Sequence, residues 1–260
     1  MYIKPYDELT IQDNFIFQKV MRNKRICKQT IERLLDIDIK DISYPEEEKS
    51  INVRLDSKSI RLDVYVNDDR GTVFNIEMQT TKDMDELVKR TRYYQGLIDI
   101  DNIEKGQNYS ALHDTYIIFI CTFGVFTGKR HKYTFRNLCI EDNEILLNDG
   151  TTKLFLSTKG EADDVSKPLK MFLDYVDGKK PEDALMQEID HEVYTVKHCD
   201  EWRRDYMTLA LEMDKKWREG KAEGKIEAIR NAIKDGLTTL AAVKKSGRYT
   251  EEEIAAIAAP

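Results

Sequence analysis

SIRLDVYVNDDRGTVFNIEMQTTK, residues 59–82, is the stretch that decides how this chain folds. Ile60, Leu62, Val64 and Val66 alternate with Arg61, Asp63 and Tyr65. Phe74, Ile76 and Met78 alternate with Asn75, Glu77 and Gln79. A period of two places the apolar sets on one face of a sheet and the polar sets on the other. The cluster Asn67-Asp68-Asp69-Arg70-Gly71 between them predicts an antiparallel hairpin. Closure near Asp69 sets Asp63 near Glu77 across the ladder, where directly opposed Cβ atoms lie about 4.5–5.5 Å apart and diagonal ones remain within reach. Two carboxylates that close repel unless a proton or a cation sits between them. A divalent metal would relieve the repulsion and activate a water. With 48 Asp and Glu in 260 residues, an acidic pair alone is weak evidence, so the flanking segments carry weight.

Downstream, Leu87, Arg90, Tyr94, Leu97 and Ile98 recur at helical spacing within 83–103. Thr115–Phe123, TYIIFICTF, is a continuous apolar run that predicts a buried central strand. Upstream, residues 13–35 carry Phe15, Phe17, Val20, Met21, Ile31, Leu34 and Leu35 and predict helix, in one or two pieces. Residues 133–158 predict further strands, with KLFLST at 153–158 buried on both faces. Residues 163–176 and 181–189 predict helices, the first ended by Gly178. The order helix, strands, helix, strand is that of a restriction-endonuclease-like core.

In order along the chain, TIQDNFIFQKVM, RLDVYVND, FNIEMQ, KRTRYYQGLI, YIIFICTFGVF, KYTFRN, GTTKLFLSTKG and REGKAEGKIEAI resemble the PD-(D/E)XK nuclease family transposases, also called recombination-promoting nucleases. The resemblance implies an α/β core of restriction-endonuclease type with a C-terminal helical appendage, divided at residues 1–195 and 196–260. It assigns Asp63 and Glu77 as catalytic metal ligands, with the Met78 carbonyl as a third oxygen, and puts Gln79 at the position of the family's lysine as the third catalytic residue, there to position the water or phosphate. Arg90 and Tyr94, one turn apart on a helix, match the motif that supports the site. Asp13 is a further candidate acid. The implied activity is metal-dependent endonucleolytic hydrolysis of DNA phosphodiesters, linked to recombination or mobile elements. The implied cofactor is Mg2+ (or Mn2+ or Ca2+). Three departures stand out: no proline precedes Asp63, Gln79 lacks lysine's charge, and residue 124 is glycine where aspartate is expected.

The net charge of −7 does not advertise a DNA binder, but the cations are clustered. Lys19, Arg22, Lys24, Arg25 and Lys28 form one group. Lys82, Lys89, Arg90 and Arg92 follow the acidic pair, and Lys129, Arg130, His131 and Lys132 form a third. Phosphate binding needs local positive potential rather than global charge. Lys82, Lys89, Arg92, Lys129, Arg130 and Lys132 are accordingly the candidate DNA contacts. The four cysteines are far apart and form no metal or disulfide pattern. Cys121 is expected in the core, and the four histidines are expected at the surface. No apolar run approaches the ~20 residues of a membrane span, and no signal-peptide pattern opens the sequence, so a cytoplasmic protein is expected. No serine-hydrolase elbow, dinucleotide fingerprint or P-loop occurs.

From about residue 199 the chain is expected to be helical, with Trp202, Tyr206, Leu209 and Met213 as a stripe that must be buried. Gly220 and Gly224 suggest close backbone packing or a flexible helix. Thr250 and Glu253 form a capping-box pattern. The stripe offers a homodimer contact through the C-terminal helices. Two further readings stay open: a catalytically weakened member that binds DNA or protein, motivated by Gln79 and Gly124, and an oligomeric interaction protein organised by the tail.

Overall fold

The computed structural model describes residues 2–44, 50–51 and 60–259. Its strands are β1 (Ile42–Ser43), β2 (Ser50–Ile51), β3 (Ile60–Arg61), β4 (Val64–Asp68), β5 (Val73–Gln79), β6 (Thr115–Cys121), β7 (Lys132–Phe135) and β8 (Thr151–Ser157). Its helices are α1 (Asn14–Met21), α2 (Lys24–Leu35), α3 (Met84–Asn102), α4 (Lys167–Val176), α5 (Ala184–Lys197), α6 (Asp200–Lys234), α7 (Leu240–Lys245) and α8 (Glu251–Ala258). The chain divides into two compact units: Asp7–Cys199, and Met1–Tyr6 with Asp200–Pro260.

The first unit is built on a mixed six-stranded sheet of order β1-β4-β5-β6-β8-β7. The hairpin closes as its turn residues require. The Asp68 carboxylate accepts from the backbone N–H of Arg70 at 2.9 Å and of Thr72 at 2.8 Å. Gly71 sits at φ +86°, and a Cβ there would lie 2.6 Å from the His113 ring, so glycine is needed for both backbone and space. β4 pairs antiparallel with β5 in the register Val64↔Ile76. β5, β6 and β8 then run parallel, with Glu77↔Phe119↔Phe155 in line across them. Connecting parallel β5 to β6 needs a crossover, which α3 supplies.

Asp63, expected inside a strand, instead lies at a bend just before β4. Its carboxylate accepts the Met78 backbone N–H at 3.1 Å, a bond that substitutes for a ladder bond, so strand pairing stops there. Ser59 and the side chains of Ile60 and Arg61 lie outside the described residues.

The polar face of the hairpin is not a solvated one. α3 covers it: Leu87, Tyr94, Leu97 and Ile98 pack with Tyr65, Ile117, Phe119 and Phe155 in one buried cluster. Asn75 and Glu77 are therefore buried along with their apolar neighbours. The opposite face carries buried Val64, Val66, Phe74, Ile76, Met78, Ile118, Ile120, Leu154 and Leu156. α1, whose buried face is Ile16, Phe17, Val20 and Met21, packs against β5.

His131 departs from the surface position expected of it. It is 2% exposed, with Nδ1 at 2.9 Å from the Ala162 carbonyl and 3.2 Å from Asp164 Oδ1. Gly160 makes this possible, since a Cβ there would fall 2.5 Å from the ring Cγ and 2.6 Å from the His131 backbone N. Gly160→Ala is expected to lower stability by about 1–3 kcal/mol, because a backbone atom must move. Chemical denaturation of both proteins checks this, and an unchanged midpoint would show that the loop yields freely.

In the second unit α6 runs for 35 residues and has no buried residue. Tyr206 packs beside Tyr6, ring centroids 5.6 Å apart, and its hydroxyl donates to the Lys4 carbonyl at 2.6 Å. Trp202, Tyr206 and Leu209 are thus partly covered, but Met213 remains exposed, so the stripe expected to be buried is covered only at one end. A Cβ on Gly220 or Gly224 would meet nothing within 4 Å, so the close packing suggested for these glycines does not occur within the chain. Val243 of α7 and Ile257 of α8 are buried, and α8 packs on α6 behind the Thr250–Glu253 capping box. No helix among the described residues is long and apolar enough to cross a membrane.

Candidate active site

The site lies at the C-terminal end of β5. The β4–β5 register, continued one residue past the ladder, sets Asp63 opposite Glu77, and the two are tied by reciprocal bonds. The Asp63 backbone N–H donates to Glu77 Oε1 at 3.2 Å, while the Met78 backbone N–H donates to Asp63 Oδ2 at 3.1 Å. Each carboxylate is thereby held by the backbone beside the other.

α1 supplies a second anchor. Gln18 Nε2 donates to Asp63 Oδ1 at 2.8 Å, and Asn14 Nδ2 reaches the same oxygen at 3.5 Å. Sequence reading missed both. The available signal is an uncharged polar pair at i, i+4 on a helix whose other residues, Lys19 apart, are apolar. Asp13, the acid expected from this region, precedes α1, and its Oδ2 turns back to the Thr10 N–H at 2.7 Å and the Thr10 hydroxyl at 3.2 Å.

Glu77 is only 3% exposed. Burial, and then the charge of Asp63, holds its carboxyl well above the usual range for glutamate. Arg90 opposes this shift. It is half-buried on α3, with NH2 at 3.4 Å from Glu77 Oε2 and at 2.8 Å from the Tyr94 hydroxyl. Its NH1 donates to Gln79 Oε1 at 3.0 Å. Its guanidinium carbon lies 5.2 Å from the Tyr94 ring centroid and 5.4 Å from that of Phe119. Arginine only donates, so the Gln79 amide must present oxygen to it. The other end of that amide, Nε2, donates to the Thr81 carbonyl at 2.9 Å. Burial and the nearby Glu77 charge push the Tyr94 phenol up to about 12.

Arg90 thus bridges three predicted site residues, Glu77, Gln79 and Tyr94. The positive charge absent at position 79 arrives from the next helix. Hard oxygen donors suit a divalent cation. The buried Glu77 carboxylate beside Asp63, with the Met78 carbonyl on the same strand, is a donor set of that kind. Among the described residues, no group of three or more His, Cys, Asp or Glu is placed to hold a metal, so any ion would rest on two carboxylates plus backbone oxygen and water.

The candidate phosphate contacts divide. Lys82, just before α3, and Lys89 and Arg92 in its first half are exposed; on the helix Arg92 is two residues from Arg90 and does not share its face. Lys129 is exposed but paired with Glu161 at 2.8 Å, and Arg130 lies 3.9 Å from Asp164. Lys132 is half-buried and donates to the Leu34 carbonyl at 3.2 Å; burial lowers its pKa. In the first basic cluster Lys19 is buried, while Lys24, Arg25 and Lys28 pair with Asp41, Glu188 and Glu32.

A family profile described as PD-(D/E)XK nuclease family transposase matches residues 14–158, a span that runs from α1 past the end of β8 and includes every residue bridged above. No curated protein and no solved structure matches the chain.

Proposed function

The chain belongs to the PD-(D/E)XK nuclease family transposases, and from that membership we propose that it is a metal-dependent endodeoxyribonuclease acting in DNA recombination or mobile-element activity. The observation that carries the reading is the reciprocal locking of Asp63 and Glu77 at the end of β5. Nucleases of this family generally use divalent metal ions, and the oxygen donor set here fits Mg2+, with Mn2+ as a substitute and Ca2+ as a binding probe. Asp63, Glu77 and the Met78 carbonyl would hold the ion. When bound, it lowers the pKa of a water and offsets charge on the phosphoryl oxygens.

The chain's own residues do the rest. Gln18 and the Met78 N–H fix the Asp63 carboxylate in one orientation. Arg90 partly offsets the upward shift of Glu77 and brings a cation beside Glu77 and Gln79. Gln79 acts through Arg90: its amide oxygen holds NH1 and its amide nitrogen is tied to Thr81. Lys82, Lys89 and Arg92 are exposed cations for the DNA backbone; Lys129 and Arg130 would have to leave Glu161 and Asp164 to join them, and the half-buried Lys132, held on the Leu34 carbonyl, is the poorest candidate. The C-terminal helices, residues 196–260, would join two copies, and the expected compartment is the cytoplasm.

The direct test is incubation of the purified protein with plasmid DNA and Mg2+, beside a variant lacking one carboxylate. Nicked or linear product from the parent alone supports the reading, and no product under any divalent ion overturns it. For Gln79→Ala, loss of one hydrogen bond to a charged group, about 1.5–3 kcal/mol, predicts a roughly 10- to 100-fold slower single-turnover rate. DNA binding measured in Ca2+ should change far less, because the role is positioning. An unchanged single-turnover rate would remove Gln79 from the mechanism.

A further inference from the structure

Glu77 is short of donors. Among the described residues its carboxylate accepts two hydrogen bonds, and both are long: the Asp63 backbone N–H at 3.2 Å and Arg90 NH2 at 3.4 Å. Bonds from charged donors to a carboxylate are ordinarily about 2.7–2.9 Å, and its oxygens offer about four acceptor positions. Two long bonds are a thin supply for a carboxylate this deeply buried.

Asn75 is short of partners. It lies two residues before Glu77 on β5, and it is fully buried. Among the described residues neither its Nδ2 nor its Oδ1 finds a hydrogen bond. An amide in that state carries the full desolvation cost of both ends, which a simple packing position would avoid with an apolar side chain.

The surroundings narrow what this amide can serve. Its neighbours along the strand on the same face are Val73 and Glu77. Across the ladders it faces Tyr65 on β4 and Ile117 on β6. Val73 and Ile117 are apolar, and the Tyr65 hydroxyl is met by Asn102 Nδ2 at 2.8 Å. The Glu77 carboxylate is the neighbouring acceptor in need of a donor. Burial and the Asp63 charge push the Glu77 pKa up, and the Asn75 side chain is among the groups that oppose the shift, so the two side chains already interact. A carboxylate only accepts, so the amide must turn its nitrogen toward it.

Resting on the metal site proposed above, we infer that Asn75 is a positioning residue of that site: its amide nitrogen donates to the Glu77 carboxylate and fixes the orientation in which Glu77 meets a divalent cation. An amide suits this task because it is neutral. A second guanidinium or ammonium here would repel the ion, and a third carboxylate would add to the repulsion between Asp63 and Glu77.

Mn2+ binding to the full chain, read from the free-ion electron paramagnetic resonance signal, tests this without requiring cleavage. Glu77→Gln identifies the ion held at this site by losing it. Asn75→Val should weaken that ion about tenfold or more, the scale on which the partners of metal ligands act. In EDTA the denaturation midpoint of Asn75→Val should equal or exceed the parent's, because two unpartnered polar atoms leave the core. Asn75→Ala adds no bulk beneath α3 and should show the same loss of affinity, which separates it from crowding by the valine methyls. In plasmid cleavage the Mg2+ concentration giving half the maximal rate should rise by a similar factor, with a smaller loss at saturating Mg2+. Parent-like Mn2+ affinity in both Asn75 variants would overturn the role of Asn75 and leave the metal site standing. A parent protein that binds no Mn2+ through Glu77 would overturn the metal site itself, and the role of Asn75 with it.

Discussion

Asp63→Asn and Glu77→Gln each cut DNA cleavage by at least about 100-fold, as expected when a group essential to the reaction centre is lost, and both variants remain folded. These are near-isosteric changes, so the packing of Glu77 under α3 is preserved and the loss reports on charge. The same substitutions give opposite readouts in stability. Glu77 titrates well above its ordinary range because it is buried and faces Asp63. The folded protein therefore binds that proton more tightly than the unfolded chain does. Stability from this group is fully present below the unfolded glutamate pKa, near 4.3, and is lost as pH rises through the raised folded value.

Glu77→Gln removes that loss. In EDTA the variant's melting temperature should exceed the parent's by an amount that grows between about pH 4.5 and neutrality. Added Mg2+ should narrow the gap by stabilising the parent alone. Normal cleavage by either purified variant would reject the assigned pair. A pH-independent gap would reject the electrostatic account of it.

Much of this site is legible from residues 59–82. The turn at Asn67–Gly71 fixes the register, and the register fixes Asp63 opposite Glu77. The Arg90–Tyr94 turn of α3 was visible for the same kind of reason, an i, i+4 spacing on a long periodic segment. What alternation cannot report is coverage. Asn75 and Glu77 look like a wet face in sequence, yet α3 packs over them, because which element covers a sheet is decided by contacts far apart in the chain. His131 is misread for the same cause: Gly160, 29 positions later, makes its pocket. The basic residues of α2 look like one patch, but Asp41 and Glu188, which pair with two of them, come from other segments. Asn14 and Gln18 carry no charge and give no signal in the sequence, although both reach Asp63 from α1.

Arg90→Ala is the second change expected to have a large effect, and it separates the structural and chemical roles of the guanidinium. The side chain serves three acceptors at once: Gln79 Oε1, Glu77 Oε2 and the Tyr94 hydroxyl. Removing it strands Glu77, whose side chain is 4% exposed, without its cation. Breaking a buried pair from one side typically costs about 3–5 kcal/mol. The cost here is smaller near neutral pH, because Glu77 can take up a proton instead of staying charged. A loss of roughly 1–3 kcal/mol, growing with pH, is the expected compromise. In the Glu77→Gln background the same Arg90→Ala change should cost measurably less, and the double-mutant cycle isolates the pair.

Cleavage should fall by about 100-fold or more in Arg90→Ala, the scale on which donor groups at a reaction centre act. Arg90→Lys should recover stability better than activity. A single ammonium can answer Glu77, but it cannot reproduce a planar fork that reaches Gln79 and Tyr94 together. Full activity in Arg90→Lys would mean that only charge is required at this position, and that the alignment through Gln79 is incidental. Activity that survives Arg90→Ala would show that the site draws its cation from elsewhere, with the exposed Lys82 and Lys89 as the first candidates to replace next.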